Sequence, residues 1–457
     1  MQSDHGASSR GSFRIIVEPG SYSIQNMGDV AMLQVATRRL HELWPDASIQ
    51  VFNNAPAELA RHCPDASPLN ANGRALWFSH DYVPSPIRRL LPARLSRRLG
   101  DAEKELRYRR PATAERLMRL RLRLLRHGRS AEDFESFIDA MHNAQLLVVC
   151  GQGSMGDATA GHAFNVLSTI EMAQLCGVPV LMFGQGIGPL RDPVLAARAR
   201  QVLPYVSMIA LREGRAGPPL LRSLGLPAGK VVVTGDDAIE LAAAERPAML
   251  GTGLGVNVRV AGNAGTEGGY LDRIRPVLHD FADRVGAPMI PAPIARGRAH
   301  DGDLLRELLG ERGDPSDGGV GLDTPTSVVR QVGRCRVLVT GAYHAAVFAL
   351  AQGISTVCLA HSDYYVDKFR GLAELFGPGC QVVEAGADLG ASFAAALLIA
   401  LTTAWANADE LRPELLAAAD RQIEAGRAAY RTGASLVTGG GGSFPPVVGG
   451  SEVRLAG

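Results

Sequence analysis

The residues best suited to chemistry stand at glycine-rich turns behind short apolar runs. "VVCGQGSMGD" (Val148 to Asp157) and "VLMFGQGIGPLR" (Val180 to Arg191) each place Gly-Gln-Gly after such a run. The unalternating pattern is that of a strand buried on both faces of a parallel sheet. At the carboxyl edge of such a sheet, glycine lets backbone approach a ligand, and the next helix offers free N–H groups to an anion. Gly151, Gly153, Ser154, Gln185 and Gly186 are therefore candidate ligand-binding positions, joined by Asn26 of "NMGD". Arg212, Arg259 and Lys368 follow other strand-like runs, and arginine's planar fork pairs bidentately with carboxylate or phosphate. "RVLVTGAYHAAVFALAQG" puts His344 at a strand-to-helix junction, where an imidazole can share a proton with an anionic ligand. Asp157 and Asp29 are candidates to orient or deprotonate a hydroxyl, although Asp after a glycine turn serves equally as a helix N-cap. Together the set can hold an oxyanion and move a proton beside it.

Positioning these groups requires alternating strands and helices. "FRIIVEPG" reads as a first strand, "NMGDVAMLQVATRRLHELW" as a loop and amphipathic helix, and "SIQVFNN" as a second strand. The two Gly-Gln-Gly strands follow with a helix between them, then "VSMIALRE" and "KVVVTGDDAIEL". The alternation predicts a doubly wound parallel sheet. It restarts at "GLGVNVRV" and continues through "APMIPAPI", "CRVLVTG" and "STVCLAHSD". The expected organisation is an N-terminal Rossmann-like domain over 13–250, a second over 251–406, and a helix over 407–435 returning to the first. Polar residues 1–12 and the Gly- and Pro-rich stretch 436–457 read as disordered.

Of 457 residues, 47 are basic and 46 acidic, so global charge points to no nucleic-acid partner. An insertion at 84–130 breaks the balance. Between Arg88 and Arg129 stand fourteen Arg and one Lys against four acidic residues, with leucines at helical spacing. This predicts a basic amphipathic helix pair on the first domain, suited to peripheral contact with anionic lipid or to a solvated face. The six cysteines fall singly, as buried thiols of a reducing cytoplasm do. The amino terminus lacks an apolar run of the kind a secretory signal carries. "LGASFAAALLIALTTAWA" is long enough to raise the question of a membrane span, but without flanking Lys or Arg it reads as a buried or docking helix. Metal-ligand spacing, a Walker loop, a nucleophile elbow and a dinucleotide fingerprint are all absent from the sequence, so no metal or cofactor is expected.

Taken in order, "NMGDVA", "GQGSMGD", "GVPVLMFGQGIGPLR", "ALRE", "VTGDDAIEL", "GVNVR" and "GAYHAAVFALAQGISTVCLA" resemble the polysaccharide pyruvyl transferase family, from Phe13 to Gly379. The resemblance implies two Rossmann-like domains facing a cleft, as in the GT-B glycosyltransferases. It also implies transfer of the carboxyethenyl part of phosphoenolpyruvate to a sugar hydroxyl, commonly as a ketal. On this resemblance His344 is the matched general acid and Arg212 the matched anion clamp. The family's Arg-Leu-His is here Ala342, Tyr343 and His344, and Gln152 stands where a third glycine is common. The lost Arg leaves three alternatives: Lys368, Arg259 or Arg191 substitutes, the donor differs, or catalysis is lost. A nucleotide-sugar glycosyltransferase, with His344 and Lys368 on the diphosphate, is the competing enzyme reading, and an inactive scaffold the third.

Overall fold

The computed structural model describes residues 12–79, 83, 89–124, 128–258, 270–296, 301–310, 319–385 and 391–439. Arg259 and the terminal stretches 1–11 and 440–457 lie outside them. Among the described residues thirteen strands form two parallel sheets. The first contains β1 (Arg14–Glu18), β2 (Ser48–Asn53), β3 (Ala66–Asn70), β4 (Leu146–Val149), β5 (Gln152–Met155), β6 (Val180–Ile187), β7 (Met208–Leu211) and β8 (Val231–Val233). Their order is β3-β2-β1-β4-β6-β7-β8, with β5 pairing with β6. The second contains β9 (Gly253–Asn257), β10 (Met289–Pro291), β11 (Cys335–Thr340), β12 (Ser355–Ala360) and β13 (Cys380–Glu384), in the order β10-β9-β11-β12-β13. The molecule is thus an α/β protein of two Rossmann-like domains.

Each sheet reverses its winding once, between β1 and β4 in the first and between β9 and β11 in the second. Outside the carboxyl ends of strands at such a reversal the flanking helices diverge and leave a crevice. The first sheet's reversal touches the second domain: the N–H of Met27, past β1, donates to the carbonyl of Ile294, past β10 (2.9 Å), and Asn26 forms an antiparallel bridge with Ala295. Strands β4, β6, β7 and β12 are buried along nearly their whole length, as their unalternating apolar composition requires.

Two expectations need correction. The second Gly-Gln-Gly does not end its strand, because Gly184–Gln185–Gly186 lies within β6. Gly184, at φ +61, kinks the backbone there, and the register to β7 shifts between Met182 and Gln185. The first Gly-Gln-Gly belongs to the short added strand β5, and Gln152 pairs directly with Gln185. The two motifs are partners in one ladder rather than separate turns.

The carboxy-terminal helix runs from Ala408 to Gly439 and packs on elements of both sheets. Its Tyr430 stacks on Phe183 of β6 at 3.7 Å and donates to Asp237 at 3.0 Å, while Arg412 donates to the carbonyl of Gln352, before β12, at 2.8 Å. The apolar segment over 389–406 forms the helix Ala391–Ala406, which lays Phe393, Leu397, Leu401 and Ala404 on the second sheet. No helix among the described residues is long and apolar enough to cross a membrane. The described part of the basic insertion forms two helices, Ala93–Arg109 and Pro111–Leu124.

Candidate active site

Arg212 leaves the end of β7 as one of the largest fully enclosed side chains of the protein, 1% exposed. Its guanidinium lies over the ring of Tyr343 at 4.1 Å, and its Nη1 is 3.6 Å from Asp236 Oδ2. Its Nε and Nη2 are buried and meet no hydrogen-bond partner among the described residues. These two N–H groups form the side-on fork that grips a carboxylate or phosphate bidentately. Burial acts against the Arg212 charge, but Tyr343, Asp236, Tyr364 and Asp29 outweigh it and raise its pKa.

Two glycines make room for that fork. A Cβ on Gly153 would lie 2.3 Å from Arg212 Nη2 and 2.9 Å from Lys368 Nζ, and one on Gly186 would lie 2.6 Å from Arg212 Nε. Arg212, Gly153, Gly186, Tyr364 and Lys368 line a cavity of about 240 Å³. The second half closes over it through the helix Asp363–Phe376. Tyr364 there donates its hydroxyl to the carbonyl of Gly153 at 2.6 Å, and Lys368 Nζ sits over the Tyr364 ring at 4.3 Å. Two cations from opposite halves thus converge on one glycine.

Behind Arg212 stands His344, in the first turn of the helix Tyr343–Ala351. Its Nε2 is 3.7 Å from Asp236 Oδ2, so the two are close enough to pair electrostatically but too far for a hydrogen bond. Burial pushes the Asp236 carboxyl up, yet His344 and Arg212 together hold it below its ordinary range. Burial pushes the Tyr343 hydroxyl far up, so the ring under Arg212 stays neutral. The imidazole covers Gly28: a Cβ there would fall 1.9 Å from His344 Cγ. This accounts for the glycine of "NMGD", and it seats the first half's helix Met27–Leu43 directly against the second half's histidine.

The other expected site residues divide. Asp29 stands partly exposed in the first turn of Met27–Leu43, near enough for its charge to act on Arg212. Asn26 caps that helix, accepting from the N–H groups of Gly28 (3.0 Å) and Asp29 (3.3 Å), so its oxygen is committed to backbone. Asp157 accepts from the N–H groups of Arg191 (2.7 Å) and Asp192 (3.1 Å) and holds the 188–192 loop rather than facing the cavity. Gln185 is fully buried and donates to the carbonyls of Val149, Cys150 and Phe183, stitching the end of β4 to β6. Gly151 packs on Met32, whose Sδ would be 2.5 Å from a Cβ. Ser154 lies on β5. Ala342 is fully enclosed, with its N–H bonded to Thr340 Oγ1 at 2.8 Å, so an arginine there would bring a guanidinium into the core.

Asp236 was not singled out from the sequence; the signal for it is the "GDD" doublet directly after β8. Tyr343, which replaces the leucine of the family pattern, forms the aromatic bed of Arg212.

The sequence matches the polysaccharide pyruvyl transferase family model over residues 26–363, a span that runs from the cap of the first helix to the start of the helix carrying Lys368. The chain belongs to the polysaccharide pyruvyl transferase family. It is therefore a transferase. No curated protein matches it in sequence. Among solved structures it is similar to the UDP-GlcNAc 2-epimerase of Neisseria meningitidis bound to UDP-GlcNAc, at 12% identity and TM-score 0.52 over 92% of this chain and 99% of that one. It is likewise similar to a putative UDP-N-acetylglucosamine 2-epimerase of Listeria monocytogenes, at 10% identity and TM-score 0.52 over 94% and 97%. A third similar structure is a UDP-glucose:anthocyanidin 3-O-glucosyltransferase in complex with UDP, at 11% identity and TM-score 0.50 over 94% and 100%. At such identities the likeness is one of fold, and it establishes the GT-B arrangement for this pyruvyl transferase family member.

Proposed function

We propose that this protein transfers a pyruvyl group from phosphoenolpyruvate to a hydroxyl of a sugar or sugar-like acceptor. The observation that carries the reading is the Arg212 fork: two buried donors without partners among the described residues, flanked by bare glycine Cα atoms and facing Lys368. Leaving such donors unmet costs about 1–3 kcal/mol each, a cost that an anionic ligand removes. A donor with both a carboxylate and a phosphate presents one anion to Arg212 and one to Lys368, which takes the place of the cation absent at Ala342.

His344 is the acid in this reading. Its Nε2 lies 3.7 Å from Asp236 and its Nδ1 edge lies over Gly28; the proton leaves from this ring. The enol π electrons form the new C–H bond at the methylene carbon, and C2 becomes oxocarbenium-like. The acceptor oxygen bonds to C2 and gives up its proton, and phosphate departs with the electrons of its bond to C2. A second acceptor hydroxyl, losing its own proton, then closes a ketal. Of the two carboxylates marked by the sequence, Asp157 is committed to the 188–192 loop, and Asp29 is the one left to steer the acceptor.

Calorimetric titration with phosphoenolpyruvate and with nucleotide sugars tests the donor. Phosphoenolpyruvate should bind and Arg212→Met should abolish the signal; binding of a nucleotide sugar alone would overturn the reading in favour of glycosyl transfer. His344→Ala should lower turnover by about a hundred- to ten-thousand-fold with donor affinity kept. Near-normal turnover would make the histidine structural.

A further inference from the structure

The helix Pro111–Leu124 is apolar on two sides. Ala114, Met118 and Leu122 face inward and are buried with Phe134 and Phe137 of the neighbouring helix Gly128–Asn143. Leu117, Leu120 and Leu124 form a second stripe at i, i+3 and i+7, and they are 40%, 54% and 73% exposed. The inward face satisfies the usual demand of an amphipathic surface helix, so the outward leucines need a separate explanation. Their flanks are cationic, with exposed Arg116 and Arg123 along one edge. The acidic residue of this helix, Glu115, is buried and paired with His142 (2.9 Å) and Arg119. On the adjoining helix Ala93–Arg109, Leu95 is exposed beside Arg94 and Arg98; its exposed carboxylates are Glu105, paired with Arg109, and Asp101, one turn beyond Arg98.

We propose that this face docks on an anionic lipid surface, the leucines entering the headgroup boundary and the arginines pairing with lipid phosphates. Charge selects that occupant. A second copy seated on the same face by two-fold symmetry would oppose arginine to arginine, whereas an anionic bilayer neutralises the arginines while burying the leucines. Docking would hold the transferase at a membrane although no helix among the described residues is long and apolar enough to cross it.

The test is co-sedimentation of the full chain with phosphatidylcholine vesicles prepared with and without phosphatidylglycerol, across a salt series. Binding should be roughly tenfold or more stronger to the anionic vesicles and should weaken as salt screens the arginines. The triple variant Leu117→Ser, Leu120→Ser, Leu124→Ser should lose it even at low salt. Its far-ultraviolet circular dichroism should stay unchanged, because the inward face is untouched. Arg116→Gln with Arg123→Gln should reduce binding to anionic vesicles only. Absence of binding at low salt, or binding unaffected in the folded leucine variant, would overturn the proposal. So would a dimer in light scattering that the leucine variant dissolves without vesicles, since the face would then join two copies.

Discussion

Two buried arginines face opposite tasks. Arg39, on the first helix, is 3% exposed and lies over Tyr430 at 4.9 Å. Its Nε and Nη2 donate to Glu240 and its Nη1 to Asp237. Arg212 is as deeply buried and also lies over a tyrosine, yet it has only a loose approach to Asp236, and its fork is unmet among the described residues. A buried guanidinium with every donor paired is a structural joint; one held open beside bare glycines is a socket for an anion. Burial, charge and aromatic bed are alike in the two. Only the state of the hydrogen bonds distinguishes them.

The comparison breaks most sharply under matched substitutions. Arg39→Met removes the guanidinium buried between Asp237 and Glu240, leaving Asp237 only Tyr430 and Glu240 only the half-exposed Arg38 and Arg427, and the expected loss is about 3–5 kcal/mol of stability by denaturant unfolding, with donor affinity retained in the folded fraction. Arg212→Met should do the reverse: unchanged or raised thermal stability, with donor KM increased roughly a hundredfold, because charge-assisted bonds of about 1.5–3 kcal/mol each are lost. Equal stability losses in the two variants would erase the distinction.

A smaller effect sharpens it. Gly186→Ala puts a methyl group 2.6 Å from Arg212 Nε, and should weaken donor binding about tenfold with little change in melting temperature, as expected for one misplaced charge-assisted hydrogen bond. A further effect concerns pH. Burial raises the Glu240 carboxyl, but Arg427, Arg39 and Arg38 outweigh it and bring it from 4.5 to about 2. A depressed folded-state pKa contributes stability that is complete above the unfolded value and lost as pH falls through the folded one. Stability measured between pH 4.5 and 2 should therefore decline more steeply in the parent protein than in Glu240→Gln.

Much of the architecture was readable from residue pattern. Short unalternating apolar runs located the buried strands, and Arg212 and His344 stand just past the carboxyl ends of β7 and β11. Gln185 and Asn26 misled because a polar residue in a glycine turn looks the same whether it meets a ligand or neighbouring carbonyls, and only tertiary pairing decides. Asp157 misled for the same reason, its carboxylate being taken up by backbone N–H groups more than thirty residues away. Asp236 stayed unmarked because its role depends on Tyr343 and His344, over a hundred residues later in the chain.

The helix Ala408–Gly439 carries a consequence for how the molecule comes apart. At about 1.5 Å per residue its 32 residues reach from Leu415 against Gly379 of the second half to Gly433 against Leu181 of the first. Between these points Arg427 and Tyr430 bind Glu240 and Asp237, the same carboxylates that hold Arg39. Neither half can melt without stripping this strap from its own core. The two Rossmann-like units should accordingly unfold in a single calorimetric transition, and removal of the strap should split that transition in two.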